Sequence, residues 1–286
     1  MMSRKQITII GLGLIGGSLA KSLNKKKSPY ITHAYARSAS TLQKAEKAGD
    51  ITKGFTNIGE AVKHSDIIIL CTPLSTYEPL LKDALPHLKE GVIITDAGSA
   101  KQSVIDILSP LLTKAQLKNF VPAHPIAGAE KSGYSAAKKT LFKDKKLFMT
   151  PAPTTTVAAM DEIRNLWKQA GANVDELPPK RHDAIYATVS HVPQLIAFAY
   201  GHALKALDEQ TQHEIAQHES KGYQRFRRIG DSSSGMWNDT FAANQIAIGH
   251  ALDKVLDSLS LSVKHLDERT QDFARNHASL NVIEHS

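Results

Sequence analysis

A single cysteine, Cys71, stands in the 286 residues, which excludes an internal disulfide and a cysteine-rich zinc cluster. No apolar stretch approaches the length of a membrane span, and the N-terminus lacks the layout of a signal peptide. A cytoplasmic setting is the expectation. Repeats and low-complexity tracts are absent as well. No zinc finger or other base-reading module accompanies the lysines of Lys25-Lys26-Lys27, Lys138-Lys139 and Lys145-Lys146. The net charge of +7 therefore points to small anionic partners and solvated surface, and neither nucleic acid nor membrane is expected as a partner. With 42% hydrophobic and 22% charged residues, the chain suits a folded globular protein, long enough for one large domain or two ordinary ones.

What is present begins at the N-terminus. A β-branched run leads into Gly11, Gly13 and Gly16, spaced G-x-G-x-x-G, and Ser18, Leu19, Ala20 and Leu23 then begin an amphipathic helical pattern. Strand, tight turn and helix start is the arrangement that cradles a dinucleotide. Gly11 permits the turn, Gly13 clears the approach of a pyrophosphate, and Gly16 lets helix and strand come close. The amides at Leu14, Ile15 and Gly16 and the helix dipole would hold the phosphates. Taken alone, the same glycines also read as a sharp turn that serves packing.

The two halves differ in rhythm. In the first, candidate strands at 7–10, 30–35, 67–71, 92–96, 120–122 and 147–149 alternate with helical stretches such as 40–48 and 77–88, which predicts a parallel sheet flanked by helices. Cys71 ends the third of these strands as a buried thiol, and Cys71, Thr72 and Pro73 are expected to border the cofactor. Residues 54–57 read as a turn, and Pro151-Ala152-Pro153-Thr154 marks the boundary, giving units 1–152 and 153–286. The second half is helical over 155–170, 182–207, 208–219 and 236–268, with a short edge strand near 171–174 and a break between Gly222 and Arg228. Its long apolar helices suggest burial between subunits, hence a homodimer.

At the end of the second strand a carboxylate would bind the adenosine ribose. The chain has Ala34-Tyr35-Ala36-Arg37-Ser38-Ala39-Ser40 instead. Arg37 with Ser38 and Ser40 suits a 2′-phosphate through charge-assisted hydrogen bonds, so NADP is favoured over NAD. The plainer reading is a surface arginine that is neutral between the two.

Further motifs are more specific: Asp96-Ala97-Gly98-Ser99-Ala100-Lys101, the run from His124-Pro125 to Gly133, His182-Asp183, Ser190-His191-Val192-Pro193, and Arg228-Ile229 ahead of Met236-Trp237-Asn238-Asp239. In this order and spacing the chain resembles the prephenate and arogenate dehydrogenases of tyrosine biosynthesis over about residues 6–270. The resemblance implies an α/β Rossmann-type nucleotide-binding domain followed by a mainly α-helical dimerisation domain. It implies hydride transfer from a small anionic ring substrate to the cofactor, with loss of the ring carboxylate and no metal. It makes His124 the base for the substrate hydroxyl, with Ser99 sharing hydrogen bonds with both. His191 faces the substrate, and Arg228 holds the ring carboxylate as a bidentate guanidinium. Arg225 stands where the family usually has an acidic residue, so Arg225 or Arg227 is a competing clamp, and Glu130 is a candidate for the substrate side chain. No regulatory or chorismate mutase domain is expected beyond the helical unit.

Each residue also has a plainer reading. His124 before a proline suits a packed loop, Ser99 a helix N-cap ahead of 101–108, and His191 a core position. Lys101 reads as a solvated first-turn residue without a catalytic role. Trp237 and Asn244 are expected to pack and cap, and Asp183 to cap N–H groups at the start of the long helix. Other two-domain hydroxyacid dehydrogenases typically use a lysine on the long helix, yet 182–207 holds none before Lys205. A non-catalytic NADP-binding redox sensor is the remaining alternative.

Overall fold

The structure is a computed structural model and describes residues 4–24, 28–129, 131–231 and 234–267. Strands β1 (Lys5–Ile10), β2 (Tyr30–Tyr35), β3 (Lys53–Phe55), β4 (Ile67–Leu70), β5 (Ile93–Asp96) and β6 (Phe120–Val121) pair in the order β3-β2-β1-β4-β5-β6, all parallel. Helices α1 (Leu14–Leu23), α2 (Ala39–Lys47), α3 (Ile58–Val62), α4 (Tyr77–Ala84), α5 (Gln102–Leu108) and α6 (Lys114–Leu117) alternate with them. This is the doubly wound order, which reverses direction between β1 and β4.

The apolar runs are continuous because both faces of the sheet are covered. On β4, Ile67 and Ile69 enter one core with Ile7, Ile9, Leu19 and Leu23. Ile68 and Leu70 enter the other with Ile10, Tyr77, Leu81 and Leu108. The residues read as a turn at 54–57 overlap the end of β3, where Ala34 pairs with Gly54 and the glycine lies flat against Leu42.

After β6 the chain leaves this sheet. Strand β7 (Ala123–Pro125), absent from the sequence reading, pairs antiparallel with β8 (Lys146–Met149), which pairs parallel with β9 (Asn173–Glu176). Helix α7 (Val157–Ala170) buries Trp167, at 0% exposure, in the same core as Ile7 and Leu23. Residues 153–176, expected in the second unit, therefore pack into the first: Pro151-Ala152-Pro153 is a turn inside a folded layer.

The second unit comprises α8 (Pro179–Tyr186), a π-helical turn over Ala187–His191, α9 (Val192–Lys205), α10 (Glu209–Gln217), α11 (Lys221–Gly230), α12 (Ser234–Ala243) and α13 (Gln245–Asp267). The expected break between Gly222 and Arg228 is instead helix α11. The long helix expected from 236 divides at Asn244, and Glu268 lies outside the described residues. Among the described residues, no helix is long and apolar enough to cross a membrane.

Candidate active site

The carboxyl ends of β1, β2 and β4 form one rim. Gly11 has φ +102°, a left-handed conformation suited to glycine, and its N–H donates to Tyr35 O at 2.8 Å. A Cβ at Gly16 would fall 2.0 Å from Gly11 O, so helix and turn meet only as glycines. At Gly13 an added Cβ would meet no atom of the described residues within 4 Å. That open space, at the N-terminus of α1 with Leu14, Ile15 and Gly16 in its first turn, fits a dinucleotide pyrophosphate.

Across the rim, Cys71 N–H donates to Ile10 O at 2.8 Å, and Thr72 Oγ1 accepts from Thr76 Oγ1 at 2.7 Å just before and after Pro73. Burial pushes the Cys71 thiol pKa up, so this side chain packs and supplies no thiolate. Arg37 is exposed at the end of β2. Ser38 Oγ caps α2 by accepting from Thr41 N–H at 3.3 Å and lies 3.0 Å from Ser40 Oγ. Arg37 is thus the exposed cation over a cap already formed.

Beyond β5 the side chains become densely coupled. Lys101 is fully buried, contrary to the solvated residue expected, and its Nζ donates to Asp96 Oδ2 at 2.5 Å and to Ala123 O at 2.8 Å. Asp96 Oδ1 accepts from Ala123 N–H at 3.0 Å. Together the pair grips the main chain immediately before His124. Burial lowers the Lys101 pKa, while Asp96 opposes that shift. Deleting one partner of such a pair costs about 3–5 kcal/mol.

Ser99 does not cap α5. The cap position is Lys101, and the amides of Lys101 and Gln102 donate to Asp183 Oδ1 and Oδ2, each at 2.8 Å. Asp183 therefore caps a helix of the first unit and not, as expected, its own. Ser99 Oγ instead lies 2.9 Å from Thr240 Oγ1 on α12.

His124, on β7, is partly buried. Its Nδ1 lies 2.9 Å from His182 Nε2, and its ring meets those of His182 and Tyr186 edge-on at 5.1 Å each. Burial, followed by His182, Lys101 and His191, holds its pKa well below the usual histidine value, so the imidazole is neutral near pH 7. His191 is 1% exposed, and burial pushes its pKa down to about 4. Asn244 Nδ2 donates to Asp183 O at 2.9 Å and lies 3.1 Å from His191 Nδ1. His191 then accepts at Nδ1 and carries its proton on Nε2. Trp237 packs its ring against His191 and Phe241, as expected.

The structure thus joins Ser99, His124 and His191 to residues the sequence reading left aside or missed: Lys101, Thr240 and Tyr186. Tyr186 had a signal, since it follows His182 by four residues on the same face of α8. Arg225 and Arg228 occupy exposed positions on α11, and Arg227 is engaged by Glu219 at 2.9 Å and Asp231 at 3.5 Å. Glu130 lies outside the described residues.

A doubly wound sheet with an open glycine cradle, beside a neutral histidine roofed by a helical unit, defines a dinucleotide-dependent oxidoreductase. The chain belongs to the prephenate dehydrogenase family: the family model for the nucleotide-binding domain matches residues 19–176 and that for the dimerization domain residues 178–277. The two models meet where the packing also changes. The chain is 28% identical to the cyclohexadienyl dehydrogenase of Zymomonas mobilis, covering 96% of this chain and 92% of that one. It is 30% identical to the prephenate dehydrogenase of Bacillus subtilis, covering 92% and 68%. Its structure is similar to that of prephenate dehydrogenase from A. aeolicus, solved with hydroxyphenyl propionate and NAD+, with a TM-score of 0.89, 28% identity and coverage of 98% and 97%.

Proposed function

We propose that this chain is a cytoplasmic homodimer that oxidatively decarboxylates arogenate or prephenate, with NADP favoured, giving tyrosine or 4-hydroxyphenylpyruvate. The observation that carries this reading is the neutral His124 imidazole, seated at the carboxyl edge of the sheet and enclosed by the helical unit. The ring carbon that bears the hydroxyl gives up a hydride, for which a bound nicotinamide would supply the acceptor. His124 takes the hydroxyl proton, for which a neutral imidazole is the required form. Ser99 orients the hydroxyl, His191 donates from Nε2, and Arg228 clamps the ring carboxylate. The carboxylate leaves as carbon dioxide, its bonding electrons flow into the dienone, and the ring becomes aromatic.

Gly11–Gly16 and Cys71–Pro73 would hold the dinucleotide, with Arg37, Ser38 and Ser40 meeting its adenosine end. Arg37 without a neighbouring carboxylate supports NADP, and its likeness to the pattern of NADP-using arogenate enzymes inclines the substrate choice toward arogenate. The test is a two-by-two kinetic comparison of prephenate or arogenate with NAD or NADP. The expected result is turnover with the higher kcat/KM on NADP. No nicotinamide reduction in any of the four combinations would overturn the reading.

A further inference from the structure

We infer that His182 and Asp183, reaching over from the helical unit, act as positioning residues that fix His124 in the tautomer whose Nε2 lone pair is free for the substrate hydroxyl. The inference rests on His124 being the base and adds what makes it one.

The proton order follows from the acceptors. The Asp183 carboxylate only accepts, and Oδ1 lies 2.8 Å from His182 Nδ1, so the His182 proton sits on Nδ1. Burial lowers the His182 pKa while the Asp183 carboxylate opposes that shift, and the neutral ring then presents a lone pair at Nε2. That lone pair faces His124 Nδ1 at 2.9 Å, so His124 must donate there. A neutral imidazole carrying its proton on Nδ1 has Nε2 bare. The opposite tautomer of His124 would set two lone pairs against each other in a dry site, at the cost of an unmade buried hydrogen bond.

The anchor of the relay is rigid. Both Asp183 oxygens accept from the first turn of α5, at Lys101 N–H and Gln102 N–H, each at 2.8 Å. His182 is fully buried and Asp183 is 4% exposed. The Tyr186 ring lies 4.6 Å from that of His182 and covers it. The charged and titratable groups facing the pair are Lys101, Asp96, His191 and Tyr186. Protonating His182 would turn Nε2 into a donor, force His124 Nδ1 to accept and place the His124 proton on Nε2. The base would then be blocked without itself gaining charge. Docking of the second unit therefore sets the proton position on a histidine of the first.

The test compares His182→Leu with His182→Gln in the full-length protein, because the glutamine amide oxygen offers His124 Nδ1 an acceptor and leucine offers none. His182→Leu should lower kcat by about 10²-fold with little change in KM. His182→Gln should restore most of that loss. In 15N-histidine-labelled wild-type protein, the His124 ring shifts, assigned by their absence in His124→Asn, should report Nδ1–H. Wild-type kcat in His182→Leu, with His124→Asn inactive, would overturn the relay alone. Equal losses in the Leu and Gln variants would do the same. Full activity in His124→Asn would overturn the underlying assignment of the base instead. Should the variants fail to fold, Nε2–H on His124 in the wild type overturns the inference directly.

Discussion

In the first unit Ile7, Ile9, Ile10 and the whole of Ile67–Leu70 are fully enclosed within one chain, and even Trp167 on the distant helix α7 joins that core. Among the described residues of the second unit the buried apolar set is Ala187, Val192, Ala197 and Ile248, while Met236, Ile246, Leu256, Leu259, Leu261 and Val263 stand 50–72% exposed on α12 and α13. The first unit thus completes its packing alone, whereas the second leaves these apolar side chains in water along α12 and α13, where about 25 cal/mol per Å² favours covering them. The active site shows the same asymmetry. His124 belongs to the self-contained unit, and the groups that surround it, His182, Tyr186 and His191, come from the unit with the exposed apolar helices.

That contrast is open to attack at its weaker side first. Leu259→Glu sets a carboxylate on the exposed face of α13, once in each subunit of a symmetric pair. At roughly 2 kcal/mol for each buried charge, the dimer Kd should rise by about 10³-fold, read by sedimentation equilibrium, while cofactor binding to the first unit persists. An unchanged dimer would place the interface elsewhere.

Arg228→Ala tests whether the second unit also supplies the substrate clamp. Losing a charge-assisted hydrogen bond worth about 1.5–3 kcal/mol should raise KM for the ring substrate by about 10–10²-fold, with kcat changed less. If KM stays at its wild-type value, the clamp moves to Arg225 or Arg227. The smallest effect is expected wholly inside the first unit. Ala36→Asp should shift the ratio of kcat/KM for NADP over NAD toward NAD by about ten-fold, through repulsion of the 2′-phosphate. A ratio that does not move removes Arg37 and its neighbours from phosphate recognition.

The self-contained unit was also the more legible. The glycine spacing and the runs through Ile7–Ile10 and Ile67–Leu70 declare strands because both faces are covered, and a wholly apolar strand is visible without alignment. Strand β3 was hidden because it has three residues with a glycine at its centre, which reads locally as a turn. Strand β7 was hidden because it opens beyond Pro122 and changes sheet. In the second unit the π-turn at Ala187–His191 and the division at Asn244 leave no compositional mark. The arginine-rich stretch after Gly222 looks like a break because helix α11 is mostly exposed.

At the candidate site, the motifs single out Ser99, His124 and His191 but not the pairings that the structure gives them. Lys101 is buried by Asp96 and Ala123, and the α5 cap comes from Asp183, 82 residues away in sequence. The Asp183 cap is made by docking of the two units, and the Lys101 contacts join separate segments of the first, so local sequence encodes neither.

The central claim is that a neutral His124 takes the hydroxyl proton as hydride leaves. It is tested most directly by the single-turnover rate of nicotinamide reduction across pH, in wild type and His124→Asn. The folded-state pKa of His124 lies below its ordinary value, so the required neutral form persists to lower pH and is lost only as pH falls through that depressed value. The wild-type rate should therefore rise with pH and level off, with an apparent pKa below about 6.5. His124→Asn should be about 10²–10⁴-fold slower and lack that limb. A variant that keeps both the wild-type rate and the same acid limb would contradict the account.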